Sequence, residues 1–92
     1  MIRKIRHQGL KRLHAKDNAS GVKQDHVERL KDILARIEVA VNSRDMALPG
    51  LYLHPLTGSR RGTWAVTVSG NWRVTFQFIG EDVTEVNYED YH

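Results

Sequence analysis

The period at which apolar residues recur changes once along this chain, and this change constrains the fold more than any other feature. From Leu51 onward apolar side chains occupy alternate positions, which is typical of strands that bury one face. The alternation predicts a short strand over residues 51–56, stopped by Pro55, because proline cannot donate to a sheet ladder. Three longer strands are predicted over Thr63–Ser69, Trp72–Ile79 and Val83–Glu89.

The residues before Leu51 follow the period of a helix instead. A short helix is predicted over His7–Lys16, and a longer one begins near Asp25, where Glu28 completes the spacing of a capping box. Turn-forming residues at 17–21 predict a loop between the helices, and residues 2–6 predict a short edge strand. One buried stripe of the longer helix is predicted to comprise Val27, Leu30, Ile33, Leu34, Ile37 and Val41.

The apolar rows of the second and third strands predict how these strands pair. A two-residue turn would set each apolar row against a polar one, whereas a three-residue loop over residues 69–71 pairs Val68 with Trp72 and Val66 with Val74. We therefore expect the three-residue loop, with a bulge at Gly70.

This register places seven polar side chains on the opposite face of the sheet, namely Thr67, Arg73, Thr75, Gln77, Glu85, Asn87 and Glu89. The two helices should cover the apolar face and leave the polar face open, since each element must bury its apolar side. The sequence thus predicts an α+β fold, with two N-terminal helices packed on one face of a mainly antiparallel sheet, and one domain over residues 1–92.

Charge is distributed unevenly along the chain. Residues 1–73 hold all 14 Lys and Arg residues and six acids, while residues 74–92 hold five acids and no Lys or Arg. A basic body favours a polyanionic partner such as nucleic acid, although a solvated surface explains the same charge. With no basic leader followed by an apolar region and no apolar run near ~20 residues, a cytoplasmic protein without a membrane partner is expected.

Few motifs for cofactor chemistry are present. The chain has no cysteine, and its five histidines match no common zinc spacing, so no metal and no cofactor are expected. It also lacks a phosphate-binding glycine loop, a dinucleotide turn and a serine or cysteine nucleophile motif.

The last residues carry the groups best suited to proton transfer. Asp90 and His92 could act as base and acid in metal-independent RNA cleavage, with Tyr91 stacking on a base or orienting a phosphate. Negative charge from Asp90 and from a terminal carboxylate should raise the pKa of His92, which suits a general acid, and would leave Asp90 to orient or to accept a proton. His54 is a second imidazole at a strand end. Each of these residues could equally be a solvated end or surface group.

Cleavage would also need cations to hold the phosphate. Arg73, Arg60 and Arg61 could supply them, because a guanidinium donates two parallel hydrogen bonds to phosphate oxygens. The alternative is that Arg73 pairs with a neighbour such as Glu89, and that the two loop arginines are merely solvated.

Four segments carry a resemblance to a known family, namely Leu53–Leu56, Gly62–Trp64, Asn71–Phe78 and Asn87–His92. Together they closely resemble the HigB toxins, which belong to the RelE-like superfamily of toxin–antitoxin systems. The resemblance implies a small RelE-like fold and an endonuclease that cuts mRNA in the A site of the translating 70S ribosome without a metal. It also implies a helix-turn-helix antitoxin, HigA, through which alone the toxin would reach operator DNA.

Residue by residue, the resemblance carries the functional positions of the family onto His54, Arg73, Asp90, Tyr91 and His92. The family often has a lysine where this chain has Thr57, so one RNA-contacting cation is missing, and Arg60 or Arg61 could replace it. A different function stays open, because ParE-like toxins of similar shape bind and block DNA gyrase without catalysis. A domain that only sequesters an antitoxin is a third alternative.

Overall fold

A computed structural model of the chain describes residues 1–91. Two α-helices precede a four-stranded sheet, with α1 at Gln8–Lys16 and α2 at Val27–Val39. The strands are β1 at His54–Pro55, β2 at Trp64–Ser69, β3 at Trp72–Ile79 and β4 at Asp82–Asp90. They lie in the order β1-β2-β3-β4, and each pairs antiparallel with its neighbour. The predicted α+β class is confirmed.

The two helices begin differently from each other. The predicted α1 is confirmed, and its N-cap is His7, whose Nδ1 accepts a hydrogen bond from the Leu10 N–H at 3.1 Å. The predicted capping box at Asp25 is wrong, because residues 24–26 tighten into a 3₁₀ turn and take Asp25 inside the turn. His26 is therefore the residue that precedes α2, and its side chain makes no capping bond.

The apolar stripe of α2 is confirmed over one face of the helix, where Leu30, Ile33, Leu34 and Ile37 are buried. Val41 does not belong to it, because the helix ends at Val39 and leaves Val41 45% exposed. Against this stripe pack the apolar residues of the sheet, including Val66, Val74, Phe76, Val83 and Val86. No helix within residues 1–91 is long and apolar enough to span a membrane.

The pairing of β2 with β3 follows the apolar rows for most of its length. Val66 lies opposite Val74 as predicted, but Ser69 and not Val68 lies opposite Trp72. The register shifts between residues 67 and 69, so the bulge lies at Val68 and the connection is a two-residue turn. The predicted bulge at Gly70 is wrong, because an extra residue within β2 allows both the tight turn and the apolar match.

A second irregularity lies in β4. Thr75 pairs with Asn87 while Gln77 pairs with Thr84, so β4 contributes one residue more than β3 over this stretch. Within it, Glu85 has a φ of 55°, a left-handed conformation that is uncommon outside glycine. The bulge explains how Val83 and Val86, three residues apart, are both buried.

The segment before β2 is less regular than predicted. The ladder with β2 contains His54 and Pro55, and the Leu51 oxygen accepts a hydrogen bond from the Thr67 N–H at 2.7 Å. Between them Tyr52 has a φ of 51° and interrupts the extended path. The predicted edge strand at residues 2–6 is reduced to isolated parallel bridges of Ile2 and Ile5 beside β4.

Two glycine backbones touch where α1 meets the loop that follows it. A Cβ atom added to Gly9 would overlap the carbonyl oxygen of Gly21. Gly9→Ala should therefore lower the free energy of unfolding by about 3 kcal/mol, despite the better helix propensity of alanine, because backbone atoms cannot move aside cheaply. Urea denaturation would measure this change.

The matched control for this prediction is Gly58→Ala. Gly58 has a φ of 65°, and nothing lies within 4 Å of the position of an added Cβ, so only backbone strain of about 1 kcal/mol is expected. Equal stability of Gly9→Ala and the parent protein would contradict the close contact.

Candidate active site

The sheet face turned away from the helices carries mostly polar side chains and is here called the polar face. Arg73 lies between Thr67 and Glu89 in one cross-strand row. His54, Ala65, Thr75 and Asn87 form the adjacent row, two residues along the strands. Because side chains two residues apart share a face, the two rows bring His54 and Arg73 to the same surface.

Arg73 is oriented by carbonyl groups and not by a carboxylate. Its Nη1 donates to the Gly70 oxygen at 2.6 Å and to the Trp72 oxygen at 3.1 Å. Within residues 1–91 Arg73 forms no salt bridge, and its buried Nε has no hydrogen-bond partner. The alternative that Arg73 pairs with Glu89 is wrong. Carbonyls fix the guanidinium but leave its charge in place.

Glu89 pairs instead with Arg60, which reaches the polar face from the 3₁₀ turn at Gly58–Arg60. Two guanidinium nitrogens of Arg60 donate to the carboxylate at 2.9 and 2.6 Å, and the Thr75 hydroxyl donates to it at 2.6 Å. The hydrogen bond from Arg60 is the main cause that holds the pKa of Glu89 below its ordinary value. The same bond raises the pKa of Arg60. Arg60, a predicted RNA-binding cation, is therefore already compensated by an acid.

The lowered pKa of Glu89 predicts how stability depends on pH. Glu89 stabilises the fold above its unfolded pKa of about 4.3, and this contribution is lost as the pH falls through the lower folded value. Glu89→Gln should cost about 1–2 kcal/mol at pH 7 and progressively less as the pH falls through the lowered pKa of Glu89, because the protonated carboxyl group is uncharged like the amide of glutamine. Denaturation at several pH values would measure this difference.

The control for this prediction is Glu28→Gln, since Glu28 is exposed on the first turn of α2. This variant should differ little from the parent protein at any pH. An equal cost of Glu89→Gln above and below the lowered pKa of Glu89 would show that the carboxylate charge contributes nothing.

A hydrogen bond to the backbone fixes the tautomer of His54. Its Nδ1 lies 3.0 Å from the carbonyl oxygen of Tyr52. A carbonyl only accepts, so this pairing requires a proton on Nδ1 and leaves Nε2 of the neutral ring as an acceptor. Such a nitrogen is the form needed by a general base.

The end of β4 lies close to the predicted strand end at Glu89. The ladder continues until Asp90, which lies opposite Trp72. Because Asp90 follows Glu89, alternation places it off the Arg73 row and toward the face of Trp72. The Tyr91 N–H then donates to the Asn71 oxygen at 2.8 Å, and Tyr91 remains 40% exposed. His92 lies outside the described residues.

Tyr91 lies near the Arg60–Glu89 pair. The hydrogen bond and the charge of Glu89 are the larger causes that raise the pKa of Arg60, and the charge of Tyr91 is a smaller one. The structure thus brings Arg73, Arg60, Tyr91 and His54 to the polar face, whereas Asp90 lies opposite Trp72.

The other two predicted RNA-contacting residues lie on the loop before β2. Thr57 and Arg61 are both exposed. Among residues 1–91 Arg61 forms no ion pair, so it is a cation available to a phosphate, whereas Arg60 is not. In the same part of the chain, no group of three or more His, Asp or Glu residues is arranged to hold a metal ion.

A buried aromatic cluster supports this end of the sheet from the helix side. The Tyr88 hydroxyl lies 2.6 Å from His26 Nδ1, and the Tyr88 ring lies 4.6 Å from that of Trp72 and 5.2 Å from that of His7. Burial raises the pKa of Tyr88. The cluster joins the start of α2 to β3 and β4, and so fixes the backbone that carries Arg73 and Glu89. Sequence reasoning missed His26, since only the contact across 62 residues reveals it.

A helix pair on one face of a small antiparallel sheet, with a polar opposite face bearing an uncompensated arginine, is consistent with a RelE-like fold. The chain belongs to the family described as the RelE-like toxin of the type II toxin–antitoxin system HigB, whose model matches residues 3–92. It is also similar to the Endoribonuclease HigB of Proteus vulgaris. The two are 46% identical over 92 residues, which cover 100% of each chain.

Proposed function

We propose that this protein is an endoribonuclease that cuts messenger RNA in the A site of the translating ribosome and thereby stops translation. The observation that carries the proposal is Arg73, a fixed guanidinium without a carboxylate partner within residues 1–91, on an open face beside candidate proton-transfer groups. The similarity to a protein named as an endoribonuclease supports the choice of RNA as substrate.

The reaction is an internal transesterification. The 2′-oxygen of one nucleotide forms a bond to the adjacent phosphorus as the bond from phosphorus to the 5′-oxygen of the next nucleotide breaks. A base takes the proton of the 2′-hydroxyl, and an acid gives a proton to the leaving 5′-oxygen. The products are a 2′,3′-cyclic phosphate and a 5′-hydroxyl, with no metal or other reactant needed.

Each candidate residue has one role in this scheme. Arg73 stabilises the negative charge that builds on the phosphoryl oxygens, because its donors are already oriented. His92 acts as the acid, Tyr91 stacks on a base or orients the phosphate, and either Asp90 or His54 Nε2 accepts the proton. Arg61 contacts the backbone of the RNA where family members often use a lysine at the position of Thr57.

The partners follow from this assignment. The mRNA reaches the protein in the A site of the 70S ribosome, in the cytoplasm, and the basic residues favour contact with ribosomal RNA. A HigA-like helix-turn-helix antitoxin would inhibit the toxin and connect it to operator DNA. Membership of the toxin family supports the antitoxin.

Primer extension on a defined message tests the proposal, with purified protein added to translating ribosomes and, separately, to the same RNA without ribosomes. Cuts within A-site codons only when ribosomes are present are expected. An intact message with translation unaffected would overturn the proposal. A gyrase supercoiling assay would then examine the ParE-like alternative, in which binding alone inhibits.

A further inference from the structure

A small polar pocket lies on the polar face beside Arg60, with a volume of about 210 Å³. Arg60 lines it from the loop before β2, Gln77 from β3, Asn87 and Glu85 from β4, and Arg6 from the N-terminal segment. None of these five lining residues has a part in the proposed cleavage chemistry.

The size of the pocket restricts its occupant. Water occupies about 30 Å³ per molecule in the liquid, so the pocket holds roughly seven waters. Clefts for drug-sized ligands begin near ~300 Å³. The pocket therefore suits one planar base better than a dinucleotide or a larger cofactor.

The chemistry of the lining suits a base edge. The side-chain amides of Gln77 and Asn87 each offer both a donor and an acceptor. The Gln77 Nε2 donates to the Thr63 hydroxyl at 3.0 Å, which leaves its carbonyl oxygen for a ligand. Among residues 1–91 the Asn87 amide forms no hydrogen bond. Side chains with both a donor and an acceptor can hydrogen-bond to the edge of an unstacked base, which is how proteins recognise bases in single-stranded RNA.

The charged groups of the pocket argue against a simple phosphate site. Arg6 lies 3.4 Å from the Glu85 carboxylate, and Arg60 is held by Glu89, so each guanidinium at the pocket already has an acid beside it. An anion would meet these carboxylates. A neutral base avoids this repulsion, and an arginine plane can also stack on it.

The pocket is close enough to Arg73 to take a neighbouring nucleotide. Asn87 is two residues along β4 from Glu89, the cross-strand partner of Arg73, and Gln77 is four residues along β3 from Arg73. At ~3.3 Å per residue, these separations are about 7 and 13 Å. A phosphate held at Arg73 would thus have a flanking base within reach of the pocket.

We propose that the pocket between Arg60, Gln77 and Asn87 binds one unstacked nucleobase that flanks the scissile phosphate, and that the two amides select which base is accepted. This inference rests on the proposed endoribonuclease function and adds a specificity site to it.

The test compares cleavage of a message library with randomised codons on translating ribosomes by the parent protein, Gln77→Ala and Asn87→Ala. Base-edge contacts discriminate by roughly 5- to 150-fold, so each variant should flatten the preference at one position flanking the cut by about tenfold. Gln8→Ala, an exposed amide on α1, is the matched control and should retain the parent's preference.

A second pair of variants separates base selection from folding. Asn87→Leu and Gln77→Met keep the approximate size and add no charge but remove the donors and acceptors, so the base preference should be lost while the midpoint of thermal unfolding stays near that of the parent. Unchanged preference in these folded variants, with the parent cutting normally, would overturn the pocket and leave the proposed function standing. A parent protein that cuts no RNA would overturn both.

Discussion

Replacing Arg73 by alanine should lower the rate of RNA cleavage by about 10²–10³, the loss typical of removing one oriented donor to a developing oxyanion. Arg73 is the guanidinium best placed for this role, because the Gly70 and Trp72 carbonyls hold it without cancelling its charge. Single-turnover cleavage of a programmed ribosome would measure the rate, since it separates the chemical step from product release.

Two comparisons make this prediction specific. Arg73→Lys keeps the positive charge but cannot donate two parallel hydrogen bonds to a phosphate, so it should retain only part of the parent rate. Arg44→Ala removes an exposed arginine from the 3₁₀ turn at Ser43–Met46 and should leave the rate unchanged. Thermal unfolding of all three variants should stay near the parent midpoint. A large loss of stability in Arg73→Ala would assign Arg73 a structural role in the turn between β2 and β3.

Much of the fold could be predicted because it follows from local periodicity. The helix of Gln8–Lys16, the four buried positions of α2 and the three long strands all repeat a pattern that burial imposes directly. The pairing of Val66 with Val74 could also be predicted, since a shift of the register by one residue would expose a whole row of apolar side chains.

The irregular positions could not be predicted, because each depends on contacts distant in sequence. The bulge at Val68 reconciles a tight turn with the apolar match, and sequence reasoning kept the match but lengthened the turn. Glu85 and Tyr52 adopt left-handed conformations although neither is glycine, and nothing local marks them for it. Only the surrounding structure makes such conformations favourable.

The candidate site was predicted in its residue types but not in its pairing. Alternation correctly placed Arg73 and Glu89 on one face, and suggested that they bond to each other. The structure instead pairs Glu89 with Arg60, 29 residues away, and this exchange leaves Arg73 uncompensated. The difference decides which arginine is available to a phosphate, and it depends on the path of the loop before β2.

The last residue of the chain should have the largest effect on catalysis. His92→Ala should lower cleavage by about 10²–10⁴, because a positioned acid then no longer protonates the leaving 5′-oxygen and water must do so. The prediction rests on the sequence Asp90-Tyr91-His92 and on the resemblance to HigB toxins, since His92 lies outside the described residues. The Tyr91 backbone that precedes it is bonded to Asn71, beside the turn that orients Arg73.

A second histidine provides the control for this substitution. His14 lies on α1, on the helix side of the sheet, where it approaches Glu38 at 3.5 Å. His14→Ala should leave cleavage unchanged, whereas His92→Gln, which can donate a hydrogen bond but not transfer a proton, should be as slow as His92→Ala. Primer extension on translating ribosomes would compare all three. Full cleavage by both His92 variants would remove His92 from the mechanism.

The same assay can then assign the base, because the two candidates lie at different places on the sheet. Asp90 lies opposite Trp72, while His54 shares the polar face with Arg73 and keeps Nε2 as an acceptor. If His54 takes the 2′-hydroxyl proton, His54→Ala should slow cleavage about as much as His92→Ala, and Asp90→Asn should slow it less. The opposite order would make Asp90 the base and leave His54 to orient the RNA. Equal and small losses in both variants would show that neither residue accepts the proton alone.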